Sequence, residues 1–215
     1  MIKAALFDLD GVVFDTEPQY SIFWGQICRE YHPEQPGLEN TIKGQTLVQI
    51  YERYFAEQKD AQPLITQRLN DYERQMKYIF VPGVEQFLND LHRHGVKTAV
   101  VTSSNRPKME SVYRQIPSFH QLFDRILTSE DFTASKPDPQ CYLKGAEVFG
   151  ATPSECVVFE DSFNGLKSGR AAGMTVVGLS TTNEASAISP LCDVVIPDFQ
   201  SFDFAVMSKI INHLS

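Results

Sequence analysis

A chain of 215 residues exceeds the ~150 residues of an ordinary domain by too little for two large ones, so one domain, or one with a modest insertion, is expected. Hydrophobic residues at 42% and charged residues at 21% match ordinary globular usage and exclude wholesale disorder. Lys plus Arg at 19 against Asp plus Glu at 27 gives a net charge of −8, which excludes a general binder of nucleic-acid phosphates, because that affinity comes from Lys and Arg displacing counterions. No run approaches the ~20 apolar residues of a membrane span. Asp8 and Asp10 come too early for the apolar stretch of a signal peptide, so a cytoplasmic protein is expected. Cys28, Cys141, Cys156 and Cys192 lack CxxC pairing and read as reduced, mostly buried thiols. The five His lack metal-ligand spacing, with His92 and His94 only two apart, and read as solvated surface residues.

The first apolar run, Ile2 to Phe7, reads as a strand that leads into Asp8-Leu9-Asp10-Gly11. Residues 15 to 79 then show little strand character. Ile22, Phe23 and Ile27 recur at helical spacing, followed by Leu47, Ile50, Tyr51, Tyr54 and Phe55, and by Leu64, Ile65, Leu69, Tyr72 and Met76. This stretch, 15–79, is expected to be a small helical domain inserted into a core made of residues 1–14 and 80–215, with Asp15-Thr16 and Pro82-Gly83 as its hinges. Val84, Phe87, Leu88 and Leu91 then mark a helix that Gly95 ends before the strand Val96 to Val101. Pro107 opens a helix carrying Met109, Val112 and Tyr113. Arg125 to Leu127 is the next strand, Tyr142, Ala146 and Phe149 the next helical stripe, and Val157 to Phe159 the fourth strand. A helix from near Ser162 to Gly173, rich in small residues, precedes the strands Thr175 to Leu179 and Val194 to Ile196. Strands alternating with helices predict an α/β fold, a doubly wound, mostly parallel sheet with the helical insert after its first strand.

Ligands of an open parallel sheet bind beyond the carboxyl ends of its strands. Those ends carry Asp8 and Asp10, then Thr102-Ser103-Ser104-Asn105, then Ser135-Lys136-Pro137 by way of a loop, then Glu160-Asp161-Ser162. Each has a plainer explanation alone, as an Asx turn, a helix cap, a dipole-complementing acid or a surface lysine. Together they converge on one edge, where facing acids would repel unless a cation joined them. An all-oxygen set completed by water and a substrate phosphate suits Mg²⁺. Were the strand to continue to Asp10, the spacing of two would put Asp8 and Asp10 on one side of the pleat, one as nucleophile and one as acid/base. A carboxylate approaching a phosphoryl dianion meets repulsion of roughly 5 kcal/mol per charge pair at ~3.5 Å, which Mg²⁺ and Lys136 would offset. Ser103 and the amides entering the Pro107 helix can hold phosphate oxygens. Asp10 would protonate the leaving alkoxide and then activate water.

The motifs DLDGV at 8–12, TSS at 102–104, KPDP at 136–139 and EDS at 160–162, in this order and at these intervals, resemble the haloacid dehalogenase-like superfamily over essentially the whole chain. More narrowly the chain is similar to the β-phosphoglucomutase and sugar-phosphatase branch, whose helical cap follows the first motif. The resemblance implies Asp8 as nucleophile and Asp10 as acid/base, with Ser103, Ser104 and Lys136 on the phosphate. It implies Mg²⁺ held by Asp8, the Asp10 carbonyl and Asp161, with Glu160 assisting. Asp10 speaks for phosphoryl chemistry, since the founding dehalogenases lack the second acid and need no metal. In the mutases a KGxSR-like cap loop supplies an Arg for the far phosphate, whereas here Lys43-Gly44-Gln45-Thr46-Leu47 puts Leu47 in its place and Tyr20 stands where the mutase has a His. Losing a bidentate phosphate clamp favours a phosphatase of a small phosphorylated metabolite, such as a sugar phosphate, over a phosphosugar mutase. Lys43, Gln45 and Thr46 become the expected cap contacts, and a monomer without nucleic-acid or membrane partners is expected. A receiver-type phosphoacceptor would place its accepting Asp after a later strand and carry no insert.

Overall fold

The computed structural model describes residues 2–43 and 45–214, with the side chain of Leu214 outside the described set. Six strands, β1 (Ala4–Phe7), β2 (Lys97–Val101), β3 (Arg125–Leu127), β4 (Cys156–Glu160), β5 (Thr175–Leu179) and β6 (Val194–Ile196), form one sheet in the order β3-β2-β1-β4-β5-β6. Every pairing in it is parallel, with Phe7 opposite both Val100 and Phe159. The strand order reverses direction at β1, between β2 and β4, and that switch point is where doubly wound sheets open a ligand crevice.

β1 is wholly buried and apolar because both its faces are covered. Ala5 and Phe7 face one cluster with Val157, Phe159 and Val100, while Ala4 and Leu6 face a second with Val158, Val101 and Ala99. In the first face Phe7 stacks on Phe159 at 4.6 Å between ring centroids, a pair worth ~1 kcal/mol beyond its burial. Helices α5 (Val84–Arg93) and α6 (Arg106–Gln115) cover that face with Phe87, Leu88, Met109 and Val112. The C-terminal helix α10 (Phe204–Leu214) joins them through Met207 and Ile211. The opposite face is closed by α7 (Gln140–Glu147), α8 (Phe163–Ala171) and the short α9 (Ala185–Ile188), through Tyr142, Ala146, Leu166 and Ile188.

Between β1 and α5 the regular elements are helices: α1 (Glu17–Tyr31), α2 (Glu39–Ile42), α3 (Leu47–Tyr54) and α4 (Gln62–Gln75). They surround a third cluster of their own, with Phe23, Trp24, Ile27, Ile50, Phe55, Ile65 and Leu69 at its centre. Two residues of the expected stripes face outward, Ile22 at 57% and Leu64 at 49% exposure. Neighbouring helix positions lie ~100° apart, and the larger surfaces of Phe23 and Trp24, and the Ile65–Leu69 pair, take the interior instead.

The two chain crossings into this segment run side by side, Asp15 N–H donating to Ile79 O at 2.9 Å and Val81 N–H to Val13 O at 2.9 Å. Pro82-Gly83 is pinned to the chain at Phe199, where Pro82 O accepts from Phe199 N at 2.9 Å. Gly83 has φ +84° and a Cβ there would stand 2.5 Å from the Phe199 carbonyl carbon.

Four of the five His, 92, 94, 120 and 213, are exposed, as expected. His32 is the correction: it is buried at 7% exposure, its ring edge-on to Phe55, because the end of α1 turns inward over the cluster. All four cysteines are buried and unpaired. Among the described residues no helix is long and apolar enough to cross a membrane.

Candidate active site

The carboxyl ends of β1, β2 and β4 and the loop before α7 meet beneath α1, α3 and α4 at a cavity of about 430 Å³. At its floor lies Lys136, 5% exposed. Its ammonium donates to Asp8 Oδ1 at 2.6 Å, to Glu160 Oε1 at 2.6 Å and to the Val101 carbonyl at 3.1 Å, which satisfies all three of its donors. Tyr142 supports the group from α7, its hydroxyl donating to Glu160 Oε1 at 2.9 Å and its ring 4.9 Å from the ammonium. The other oxygen of Glu160 accepts from the Asp161 and Ser162 amides at 3.0 and 3.1 Å and from Ser162 Oγ at 3.0 Å. Both oxygens of Glu160 are thereby engaged, one on Lys136 and Tyr142 and the other on the start of α8. Gly165 is required there, since any Cβ would overlap the Glu160 carboxylate.

Asp161 lies beside this pair, accepting from the Thr182 hydroxyl at Oδ2 while its carbonyl takes Asn183 Nδ2 at 3.0 Å. Gly11, at φ +75°, passes so close that a Cβ would come within 2.1 Å of Asp161 Oδ2. Oxygens of Asp8, Glu160 and Asp161 lie within 4.8 Å of one another. Three carboxylates face one ammonium, and the surplus negative charge has physical consequences. Burial, with Glu160 and Asp10 adding, pushes Asp8 up to about 7 against the pull of Lys136. Asp161 is held well above the usual carboxylate range by burial and by the charges of Glu160 and Asp8. Burial alone would lower Lys136, yet Asp8 and Glu160 hold it far above its ordinary value, so it stays charged. An all-oxygen set short of positive charge fits a hard divalent cation.

Asp10 points elsewhere. The expectation that β1 continues to Asp10 does not hold: the strand ends at Phe7, and a tight turn in which Val13 and Phe14 N–H both donate to Leu9 O rotates Asp10 away from Asp8. Asp10 Oδ1 accepts from Thr16 Oγ1 at 2.6 Å, and Oδ2 from Ser104 Oγ at 3.1 Å and from Lys108 Nζ at 2.5 Å. Lys108 was not foreseen as a site residue. Its one sequence signal is a lysine in the first turn of a helix that follows a site strand, where the dipole disfavours a cation.

The remaining expected residues divide. Ser103 is exposed and lines the cavity. Ser104 has both donors engaged internally, the hydroxyl on Asp10 and the amide on Thr102 Oγ1 at 3.0 Å. In the loop before α3, Lys43, Gln45 and Thr46 all line the cavity, while Gly44 lies outside the described residues. Thr46 caps α3, accepting from Gln49 N–H at 3.3 Å, and Gln45 is held by Arg53 at 3.0 Å and by Thr41 O at 2.5 Å. Lys43 is in no salt bridge among the described residues. Gln49 was also missed: its amide donates to Lys136 O at 3.0 Å and accepts from Asn164 Nδ2 at 3.3 Å, which ties α3 to the floor of the site.

A family model described as a haloacid dehalogenase-like hydrolase matches residues 2–173. The chain is 29% identical over 206 residues to the validoxylamine A 7'-phosphate phosphatase of Streptomyces hygroscopicus subsp. limoneus, covering 92% of this chain and 94% of that one. It is 28% identical to the β-phosphoglucomutase of Bacillus subtilis (strain 168), covering 83% of each. A crystal structure of a family IA HAD hydrolase from Entamoeba histolytica superposes with a TM-score of 0.85 at 22% identity, over 98% of this chain and 100% of that one. With the model spanning most of the chain and the fold agreeing throughout, the protein is an enzyme of the haloacid dehalogenase-like hydrolase family.

Proposed function

We propose that the protein is a Mg²⁺-dependent phosphatase that hydrolyses a small phosphorylated metabolite, a sugar or polyol monophosphate, through an aspartyl phosphate on Asp8. The observation that carries this reading is the floor of the cavity, where an ammonium holds one oxygen of Asp8 while the other accepts no side-chain hydrogen bond among the described residues. That oxygen attacks phosphorus as the bond to the leaving oxygen breaks, and Asp10 gives that oxygen its proton. Asp10, now a carboxylate, takes a proton from water, whose oxygen attacks the aspartyl phosphate and releases phosphate and Asp8. Lys136 neutralises charge on the phosphoryl oxygens throughout, and Ser103 holds one of them. Mg²⁺ would be held by Asp8, Asp161 and the Asp10 carbonyl, with Glu160 acting through Lys136. When bound it supplies Lewis-acid neutralisation of the phosphoryl group.

Residues 15–79 act in this reading as a cap that excludes bulk water when closed. The paired crossings at Phe14–Thr16 and Ile79–Val81 are its hinge, because Pro82-Gly83 is fixed against Phe199.

The cavity's upper wall argues for the leaving group's chemistry. Glu17, Glu39 and Glu73 line it, and burial with the nearby Asp10 charge pushes Glu17 up to about 7. Of the lining cations, Lys108 and Lys136 are committed to carboxylates, which leaves Lys43. Such a wall accepts hydroxyls and repels a second phosphate, so a bisphosphate-handling mutase fits poorly, and Leu47 offers no replacement clamp. The test is phosphate release from a panel of hexose and hexitol monophosphates and their bisphosphates, with Mg²⁺ and with EDTA. Release from monophosphates that EDTA stops is expected. Conversion of β-glucose 1-phosphate to glucose 6-phosphate without phosphate release would overturn the reading.

A further inference from the structure

Lys108 sits in the first turn of α6 at 2% exposure, an unusual place for a lysine on two counts. Long cationic side chains are seldom so buried unless paired, and a cation in a helix's first turn opposes the dipole. What holds it there is a connected set of groups from three other segments. Its ammonium donates to Asp10 Oδ2 and to the Tyr20 hydroxyl, each at 2.5 Å, and lies 4.7 Å from the centre of the Tyr20 ring. The Tyr20 hydroxyl in turn donates to Glu73 Oε1 at 2.7 Å. Asp10 and Lys108 belong to the sheet side of the cavity, while Tyr20 and Glu73 are carried by α1 and α4 above it.

We propose that Lys108 is a positioning residue: its ammonium sets the Asp10 carboxylate and ties that setting, through the Tyr20 hydroxyl, to the docking of the helical segment on the core. The inference rests on the reading of Asp10 as acid/base and of residues 15–79 as a cap.

Three features make the linkage specific. A phenol is rigid, so the position of the Tyr20 hydroxyl follows α1, and Lys108 gains its second partner only when α1 lies where it does here. Lys108 serves two carboxylates, Asp10 directly and Glu73 through Tyr20, so its removal leaves both without their cation in a poorly solvated place. Finally, Asp10 keeps Thr16 and Ser104 without Lys108. Neither carries charge, and Thr16 lies on the crossing into the helical segment, so without Lys108 the one charge-free hold on Asp10 from the sheet side is Ser104. The phosphate itself is held by other residues, and the effect should therefore fall on turnover and spare binding.

The test compares wild type with Lys108→Met, Lys108→Arg, Tyr20→Phe and the Met/Phe double variant, using p-nitrophenyl phosphate with Mg²⁺ and, separately, urea unfolding. Lys108→Met should lower kcat about 30-fold or more with KM within about 3-fold, and Lys108→Arg should recover to within about 10-fold of wild type. Tyr20→Phe should lower kcat about 5-fold in wild type and less than about 2-fold in the Lys108→Met background, the non-additivity of one coupled unit. Additive losses, a KM that rises with kcat, or a Lys108→Met enzyme within about 3-fold of wild type would overturn the proposal. Should Lys108→Met fail to fold, Lys108→Gln takes its place in the same cycle. If wild type releases phosphate from no ester, the phosphatase reading fails by itself. The Lys108–Tyr20 linkage is then judged by urea unfolding, where non-additive loss supports it and additive loss removes it.

Discussion

Asp8 and Asp10 are two residues apart in sequence and occupy two differently built halves of one cavity. Around Asp8 the side-chain partners belong to the sheet and its covering helices: Lys136 and Asp161 follow strands, Glu160 ends β4, and Tyr142 supports them from α7, while the inserted segment reaches this half at the Lys136 carbonyl, through Gln49. Around Asp10 the partners are divided, with Ser104 and Lys108 from the sheet side and Thr16 and Tyr20 from the crossing and helix that lead into the inserted segment. The first half is fixed by the same packing that makes the fold. The second is complete only while two regions with separate hydrophobic clusters lie together. A nucleophile needs a constant environment through the cycle, whereas a proton-transfer group is useful only when water has been excluded, and the two constructions match the needs of the roles proposed for Asp8 and Asp10.

The comparison can be broken most severely at Asp8, the proposed nucleophile. Asp8→Asn should reduce phosphate release from p-nitrophenyl phosphate by about 10⁴-fold or more, since the fixed half then holds no nucleophile. Unchanged turnover would remove Asp8 from the mechanism. Next comes the cation of that half. Lys136→Met leaves Asp8 and Glu160 facing each other unpaired, and should cost about 3 kcal/mol of stability in urea unfolding as well as most of the activity. Adding Glu160→Gln should restore much of the stability and none of the activity, which separates the pair's structural share from its catalytic one.

The smallest effect belongs to the upper wall. Glu17 is pushed up to about 7 by burial and the charge of Asp10, above its usual 4.5. The folded state then binds this proton more tightly than the unfolded state between those two values, so stability is present in acid and falls as pH rises through them. Glu17→Gln should flatten that fall by about 2 kcal/mol between pH 5 and pH 8, read as the difference from wild type in urea unfolding in EDTA. Identical pH profiles would place Glu17 in solvent and weaken the argument for a wall that repels anions.

Much of the fixed half was legible before the fold was known. The strands appear where the apolar runs of Val, Ile, Leu and Phe predict them, and the helices α6 and α8 begin at Asn105 and Ser162, whose side chains accept from Lys108 and Gly165 N–H. Lys136 and the Glu160-Asp161 pair stood out because acids and a lysine after parallel strands must converge. Less of the divided half was legible. Glu73 and Lys108 read as ordinary helix residues and Tyr20 only as the occupant of the mutase His position, and their distances along the chain, 53 and 88 residues for the two hydrogen bonds that join them, carry no local pattern. The spacing of Asp8 and Asp10 misled for a related reason. Only an extended strand puts both side chains on one face, but β1 ends at Phe7 and the turn closed by Leu9 O takes in Asp10 and leaves Asp8 outside it.

The sequence by itself determined the order of strands and helices, the place of the helical segment and the identity of the acids and lysine at the sheet edge. Those properties follow from periodicity, from capping and turn residues, and from the rule that parallel strands open their ends to one crevice. Only the tertiary structure decided which oxygen each cation holds, that both oxygens of Glu160 are engaged, that Ser104 serves Asp10, and that a lysine from α6 joins Asp10 to the segment above. Side-chain partnerships across the cavity depend on distances and orientations that packing sets, and residue type alone leaves those undetermined.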